Sequence, residues 1–318
     1  MKARHAAPQM SFVLVTDSYA TIRPVLDRLR AQTVREMLEV VLVTDSPAPA
    51  FRGGLEGFAS VRIVEAAPPW PLGEARAAGV RAATAELVFV GDTHSYPHPA
   101  LAETLIDTHQ GPWSVVVPGF GNANPHGALS WAGFLSDYAA WSHRLPPGPI
   151  EYAPIADVSY RRSALLEFGD RLGHVLDYGD ELLHGLHALG HRMYFQPEAR
   201  IDQVNLARPR SWLWERYAAG ALIADRRTRR WSWLHRLVYV CGSPLLPAVY
   251  LARGRSGIRA ARRGGEAPVR VVMAMLAGGL VKAAGEMVGY TRGAGRAAEP
   301  RMVELELHKV RHAGGRRR

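Results

Sequence analysis

Asp92 and His94 stand two positions apart, directly after a short run of apolar residues. The run is residues 87–90 (LVFV), and residues 91–94 (GDTH) follow it. A carboxylate and an imidazole at this spacing can hold one divalent cation, and the imidazole nitrogen shifts the preference from Mg²⁺ toward Mn²⁺. Both residue types are also common in turns. The pair therefore fits either a metal site or an ordinary turn after a strand.

A second acidic group, Asp180 and Glu181, lies at the start of a helical pattern at residues 180–189. A carboxylate near a substrate hydroxyl can serve as a general base. Acidic residues in the first turn of a helix also cap it and interact favourably with its dipole. The residues alone leave both interpretations open.

Alternating strands and helices would position these side chains. Short apolar runs rich in β-branched residues predict four strands, at residues 11–15, 38–43, 61–64 and 87–90, and the first of them is expected to be buried. Helical spacing of apolar residues predicts helices at residues 21–32, with Thr21 as N-cap, and at residues 72–83. A strand, a helix and a strand within about 35 residues predict a βαβ unit and a parallel sheet.

Each of these strands ends in a polar loop. Open α/β sheets bind ligands beyond the carboxyl ends of their strands. We therefore expect the loops at Thr16, Asp45 and Asp92 to meet at one crevice. Later elements are less regular: a strand at 115–117, a glycine-rich loop at 119–127, a strand-like turn at 152–160, and a strand at 192–195.

Charge is unevenly distributed along the 318 residues. Residues 226–318 carry 20 Lys and Arg against five Asp and Glu, a net charge of +15, whereas residues 1–225 have a net charge of −5. Because Cys241 is the single cysteine, no intrachain disulfide can form, which favours a reducing compartment. Cys241 lies in an apolar run and is expected to be buried. No apolar stretch precedes Ser11, which argues against a secretory signal. We place a domain boundary near Arg230, giving domains of residues 1–230 and 231–318.

The basic region also contains many aromatic residues. Clustered arginines beside tryptophans and tyrosines suit an anionic membrane interface. Two apolar stretches, residues 237–251 and 269–281, are shorter than the ~20 residues needed to span a bilayer, so we interpret them as interfacial or re-entrant helices. A soluble helical subdomain remains the alternative. Nucleic-acid binding is not expected, because no nucleic-acid-binding motif accompanies the charge.

Taken together, these segments resemble family 2 glycosyltransferases, which are inverting enzymes with a GT-A fold. Residues 160–165 (YRRSAL) resemble the "Y-R-R-x-x-L" segment of the family, and residues 285–290 (GEMVGY) a C-terminal "G-E-x-x-G-Y" segment of its membrane-associated bacterial members. The other matching segments are residues 11–16 (SFVLVT), 29–33 (LRAQT), 38–46 (LEVVLVTDS), 74–90 and 190–199 (GHRMYFQPEA). The departures are Ala77, where asparagine is usual, and Gln203, where we look for a third, histidine metal ligand.

The resemblance implies a specific fold and chemistry. The fold is α/β, a GT-A fold with a mixed, mainly parallel sheet and a C-terminal helical, membrane-associated region. The donor is a nucleotide-diphosphate sugar, and Asp92 with His94 stands where the family holds a divalent cation, Mn²⁺ or Mg²⁺. Asp180 is the expected general base, with Glu181 as the alternative.

The same resemblance assigns the donor pocket. Asp45 can accept from a base N–H or from ribose hydroxyls, or else form an Asx turn before Pro47. Thr16 and Asp17 are expected to line the same pocket. Arg76 is expected either to approach the diphosphate or to form an exposed salt bridge on its helix.

The expected function is sugar transfer to a lipid-linked or glycan acceptor at the cytoplasmic face of a bacterial plasma membrane. A catalytically silent protein that binds nucleotide sugars is the alternative, favoured by Gly91, Ala77 and Gln203 at altered positions. A nucleotidyltransferase would need a glycine-rich basic loop after the first strand, and residues 16–21 contain no Gly or Lys.

Overall fold

The computed structural model describes residues 7–45, 51, 55–66, 71–177, 179–228, 231–253, 255–265 and 268–314. The chain forms two compact units. The first comprises Met1–Gly121 and His143–Asp202, and the second comprises Asn122–Ser142 and Gln203–Arg318. The first unit holds nearly all of the sheet, and the second holds the C-terminal helices.

Nine strands lie within the described residues. They are β1 (Met10–Val15), β2 (Leu38–Thr44), β3 (Ser60–Glu65), β4 (Leu87–Gly91), β5 (Ser95–Pro97), β6 (Val115–Asn122), β7 (Gly148–Ile150), β8 (Val158–Arg161) and β9 (Met193–Gln203). They form one sheet in the order β3-β2-β1-β4-β8-β6-β9-β5, and β7 pairs with β9. The first four strands of this order are parallel, and β8 runs antiparallel to both β4 and β6. The predicted mixed sheet is confirmed.

Seven helices accompany the strands as far as residue 188 of the described chain. They are α1 (Tyr19–Arg30), α2 (Leu72–Ala82), α3 (Leu101–Thr108), α4 (Ala128–Tyr138), α5 (Arg162–Leu166), α6 (Leu172–Asp177) and α7 (Gly179–Ala188). Strands β1, β2 and β4 are buried along their whole length, as expected for parallel strands that are covered on both faces.

Helix α1 begins two residues earlier than its predicted start. The prediction that Thr21 is its N-cap is wrong, because Ser18 has the extended backbone of an N-cap and its hydroxyl accepts from the backbone N–H of Thr21. Both residue types are good N-caps. Apolar positions alone could not decide between them.

Strand β6 is much longer than the three residues predicted. The glycine-rich segment that we expected to be a loop continues the strand as far as Asn122. Glycine is needed in this strand because there is no room for a side chain. A Cβ at Gly119 would lie 2.5 Å from the carbonyl oxygen of Pro197 in β9. Glycine at this position lets the two neighbouring strands approach.

His109 joins the end of α3 to β8 inside the first unit. Its Nδ1 lies 3.1 Å from the carbonyl oxygen of Trp113 and its Nε2 lies 2.8 Å from the Ser159 hydroxyl. Since a carbonyl only accepts, Nδ1 carries the proton and Nε2 accepts from Ser159. Burial lowers the pKa of His109 from 6.5 to about 4. The ring is therefore neutral at pH 7.

The second unit is built around two long helices, α8 and α12. Besides α4, its described helices are α8 (Pro209–Thr228), α9 (Trp233–Gly242), α10 (Leu246–Arg253), α11 (Arg255–Arg263), α12 (Val269–Arg292) and α13 (Ala298–Leu307). Helix α12 packs closely on α8, because a Cβ at Gly285 or at Gly289 would lie 2.0 Å or 2.3 Å from a carbonyl oxygen of α8. Arg216 of α8 binds Asp137 of α4 through both terminal guanidinium nitrogens.

Two expectations about this unit are corrected. Cys241 is exposed rather than buried. Helix α12 has 24 residues, whereas the sequence predicted an apolar stretch that ends at residue 281. Of the helices described, α12 is the one whose length and apolar composition are sufficient to cross a membrane, with a mean hydropathy of 1.6 over an 18-residue stretch. The core helix of a soluble protein can meet the same criteria.

Candidate functional site

The site is built at the carboxyl ends of three adjacent parallel strands of the first unit. In the register of the sheet, Val15 of β1 lies opposite Val43 of β2, and Leu14 of β1 lies opposite Gly91 of β4. The loops that begin at Thr16, Asp45 and Asp92 therefore leave the same edge of the sheet, as expected.

Asp157 holds the loop that carries Asp92 and His94. Its carboxylate accepts from the backbone N–H of Asp92 at 3.1 Å and from the hydroxyl of Ser95 at 2.5 Å. Its own N–H donates to the carbonyl of Val90 at 2.6 Å. Asp157 is 1% exposed and has a φ of 58°. The left-handed region is costly for most residues and is tolerated best by Gly, Asn and Asp.

Arg76 of α2 lies against Asp92. One guanidinium nitrogen is 2.9 Å from the Asp92 carboxylate, and another donates to the carbonyl of Leu176 at 3.4 Å. The Arg76 and Asp92 side chains are only 11% and 19% exposed. Of the two roles expected for Arg76, the exposed helix salt bridge is wrong, because its partner is the candidate metal ligand and the pair is mostly buried.

His94 completes the candidate cation site in this unit. Its side chain is buried, and its ligand nitrogen lies within 4.8 Å of a carboxylate oxygen of Asp92. Two ligands of one Mn²⁺ or Mg²⁺ ion, each ~2.1 Å from it, lie up to about 4.2 Å apart. The two side chains are thus close enough to be considered as ligands of one ion, and the oxygen and nitrogen donors fit Mn²⁺. Gln203 belongs to the second unit, where its amide donates to the Tyr138 hydroxyl at 2.6 Å.

The residues expected to hold the nucleotide lie beside this loop edge. Thr16 is buried, with its hydroxyl donating to the carbonyl of Ser18 at 3.0 Å. Asp17 is half-buried and accepts from the Ser18 hydroxyl at 3.3 Å. Asp45 is exposed and directly follows β2. Ser46 and Pro47, on which the alternative Asx turn depends, lie outside the described residues.

Asp180 and Glu181 lie in the first turn of α7, and both are exposed. The Glu181 carboxylate contacts Arg171 at 3.3 Å and His174 at 3.1 Å. The backbone carbonyl of Asp180 contacts Nδ1 of His184 at 2.6 Å. The Glu181 carboxylate is thus held by residues of its own surface.

Sequence reasoning missed a third acidic residue, Asp177, at the end of α6. Its carboxylate accepts from the backbone N–H of Gly73 at 2.7 Å, which caps the N-terminus of α2 from outside the helix. Helix α2 carries Arg76 one turn later. The available signal was that residue 71, which precedes α2, is a proline, so the helix has no capping side chain of its own.

Comparisons with known proteins agree with this geometry. Residues 12–151 match the model of Glycosyl transferase family 2. No curated protein matches the chain significantly. A mannosyltransferase from Pyrobaculum calidifontis, solved in complex with GDP-Man and Mn²⁺, is similar with a TM-score of 0.54 and 18% identity, over 89% of this chain and 88% of that one. TarS 1–349 from S. aureus aligns with a TM-score of 0.46 and 17% identity, over 89% of each chain.

The family match contains the loops after β1, β2 and β4, and with them the Asp92 and His94 pair. The likeness to the Pyrobaculum protein concerns the fold, and the predicted GT-A fold is confirmed. Residues 12–151 therefore form a domain that matches Glycosyl transferase family 2.

Proposed function

We propose that this glycosyltransferase is an inverting enzyme that moves a sugar from a nucleotide-diphosphate donor to a lipid-linked or glycan acceptor. The observation that supports the proposal best is the placement of Asp92 and His94. Both lie on a loop that Asp157 fixes at the carboxyl end of β4, beside the loops after β1 and β2. Sheets of this kind bind nucleotides at that edge.

The donor would be held by residues of that edge. Asp45 would accept from the base or the ribose, and Thr16 and Asp17 would line the pocket beside it. Arg76 would interact with the diphosphate, because its guanidinium lies 2.9 Å from Asp92 and is directed to the same loop. A divalent cation held by Asp92 and His94, Mn²⁺ or Mg²⁺, would supply positive charge for the departing nucleotide diphosphate.

Transfer with inversion needs one base. We assign this role to Asp180, with Glu181 as the alternative, since both are exposed carboxylates in the first turn of α7. The base takes the proton of the acceptor hydroxyl, and the hydroxyl oxygen bonds to C1 of the sugar. The bond from C1 to the phosphate oxygen breaks on the opposite face, and its electron pair leaves with the nucleotide diphosphate.

We further propose that residues 1–230 carry the transferase domain and that residues 231–318 face the inner surface of the plasma membrane. Helix α11 supports this, because the arginines at 255, 259, 262 and 263 are all exposed. Helix α12 adds an exposed apolar stripe that contains Met273, Leu280 and Met287, 59%, 58% and 38% exposed. Arginines and exposed apolar side chains together fit an anionic lipid surface.

The test is a donor screen on the full chain. Thermal unfolding is measured with UDP-, GDP- and dTDP-linked sugars, each with and without Mn²⁺. We expect at least one donor to raise Tm, and to raise it more when Mn²⁺ is present. Stabilisation by no donor would contradict the proposal. Tight donor binding without transfer to any lipid-linked or free glycan acceptor would support the catalytically silent alternative.

A further inference from the structure

A cavity of about 250 Å³ lies within the second unit, at the ends of helices α8, α9 and α12. Its volume is just below the ~300–1,000 Å³ of typical small-ligand pockets. It therefore has the size for a single ring rather than for a nucleotide sugar. It is lined by Arg227, Val238, Tyr239, Gly242, Ser243, Leu246, Glu286 and Tyr290.

Two buried polar side chains of α12 line this cavity. Glu286 and Tyr290 are each 1% exposed, and the Tyr290 hydroxyl donates to the Glu286 carboxylate at 3.1 Å. They are four residues apart and so lie on one face of the helix. A carboxylate buried in an otherwise apolar helix is expensive unless it has hydrogen-bond partners. The Tyr290 hydroxyl is one such partner.

Aromatic rings form one wall beside these residues. The rings of Trp231 and Tyr290 stack at 5.9 Å with an angle of 11° between their planes. Tyr239 lies 4.5 Å from Trp231 and 5.6 Å from Tyr290, measured between ring centroids. Tyr239 remains 40% exposed. The cluster fixes the Tyr239 ring, and the ring keeps part of its surface open for a ligand.

The charges of the lining select a ligand class. Arg227 opposes a cationic ligand, and Glu286 opposes an anionic one. A guanidinium only donates hydrogen bonds and a carboxylate only accepts them, whereas a hydroxyl does both. A neutral ring with several hydroxyls can therefore add to the hydrogen bonds that Arg227, Glu286 and Ser243 already make. Its apolar C–H face would lie on the Tyr239 ring, as amphipathic rings pack on aromatic side chains.

We propose that this cavity binds one sugar ring of a saccharide. As the acceptor's binding site, the assignment rests on the proposed transferase function, but the binding of a sugar ring does not. The saccharide is either free or attached to a lipid, and the two sources share the same ring chemistry. The cavity belongs to the second unit, and every donor-site residue named above belongs to the first.

The test uses the full chain and simple glycosides. Binding of methyl α-D-glucopyranoside, methyl α-D-mannopyranoside and methyl α-D-galactopyranoside is measured by saturation-transfer NMR and calorimetry. We expect at least one to bind, and expect Glu286→Gln and Tyr239→Ala each to weaken it about tenfold or more. Val269→Ala, at the exposed start of α12, is the matched control and should leave binding unchanged. Circular dichroism shows whether each variant folds.

Two further measurements distinguish a free saccharide from a lipid-linked one and test other classes of ligand. Octyl β-D-glucopyranoside, below its micelle concentration, should bind more tightly than methyl β-D-glucopyranoside if the saccharide is lipid-linked, and equally if it is free. Tetramethylammonium and inorganic phosphate should not compete with the glycoside. Binding of no glycoside, or glycoside binding that both folded cavity variants retain, would overturn the proposal. Donor-induced stabilisation, measured on the same variants, reports on the first unit alone and so tests the proposed function separately.

Discussion

Arg76 and Asp92 form an ion pair of 2.9 Å that joins α2 to the loop after β4. Arg76 places its permanent positive charge beside the carboxylate that would also face a divalent cation. Opposite charge at this distance stabilises the ionised carboxylate. A cation that binds Asp92 must therefore share it with Arg76, and the incoming diphosphate supplies the negative charge that both positive groups can bind.

Replacing Asp92 with asparagine should remove most turnover and weaken metal-dependent donor binding. The substitution deletes the charge that faces Arg76 and that would face the proposed cation. Mn²⁺ is titrated against wild type and variant in the presence of donor, beside an initial-rate assay. Asp27→Asn, which changes an exposed carboxylate on α1, is the control. Equal metal dependence and equal activity of D92N would eliminate the site.

Replacing Asp157 with alanine should destabilise the protein by about 2–4 kcal/mol, because a buried N–H and a buried hydroxyl lose their charged acceptor. Alanine is also poorly suited to the left-handed backbone at this position. Asp157→Asn keeps one acceptor oxygen and tolerates that backbone, so it should cost less. Urea unfolding gives the two stabilities. If the alanine and asparagine variants are equally stable, Asp157 does not hold the loop in the way described.

Asp180→Asn should lower turnover by at least about 10²-fold, the low end for the loss of a general base. Donor affinity should remain nearly unchanged. A donor-binding isotherm and an initial-rate assay distinguish these two effects. If Glu181→Gln is the damaging substitution instead, the base is Glu181. If neither substitution affects turnover, the base lies elsewhere, and Asp177 is then the next residue to replace.

Stability should fall as the pH is lowered from 7 toward 4. The pKa of His109 is about 4 in the folded protein, against 6.5 for an ordinary histidine, because burial favours the neutral ring. The unfolded chain therefore binds the proton more readily between these values, and stability present above pH 6.5 is lost as the pH falls, by up to about 3 kcal/mol. Unfolding of His109→Gln should depend less on pH across this window. An exposed-histidine variant, His126→Gln, should retain the full dependence.

Binding to vesicles that contain phosphatidylserine should depend on the four arginines of α11. Their joint replacement with glutamine should weaken binding by at least about 100-fold, since each cation near such a surface contributes roughly 1 kcal/mol. Replacement with lysine keeps the charge and should keep most of the binding. Vesicle sedimentation is measured at low and moderate salt, because salt screens this attraction. If the wild-type protein does not bind these vesicles at either salt concentration, the membrane assignment is wrong.

The sequence predicted the parallel strands well because their signal is local. Strands β1, β2 and β4 differ from their predicted bounds by at most one residue, since each is a mostly apolar run that is followed by a polar loop. Helix α12 shows why other bounds failed. Lys282 ended the predicted apolar stretch, but the helix continues for ten residues beyond it. Neighbouring helices supply partners for polar residues there, and that information is not local.

The candidate site was predictable in part for the same reason. Asp92 and His94 follow a clear strand, so their loop could be placed. Asp157 comes from an irregular segment, and it acts through a backbone conformation and two hydrogen bonds to residues more than 60 positions away. No periodicity marks such a residue. Likewise, residues 285–290 alone do not indicate that Glu286 and Tyr290 line a cavity, because its other walls come from α8 and α9.

The close approach of α2 and α6 constrains how this protein can be engineered. A Cβ at Gly73 would lie 2.2 Å from the carbonyl oxygen of Gly173 and 2.6 Å from the backbone nitrogen of Asp177. Any side chain at position 73 therefore forces the two helices apart and carries Arg76 away from Asp92. A directed-evolution library aimed at donor specificity should hold Gly73 fixed and diversify the loops after β1 and β2. Variation there would alter the pocket wall without disturbing the alignment of Arg76.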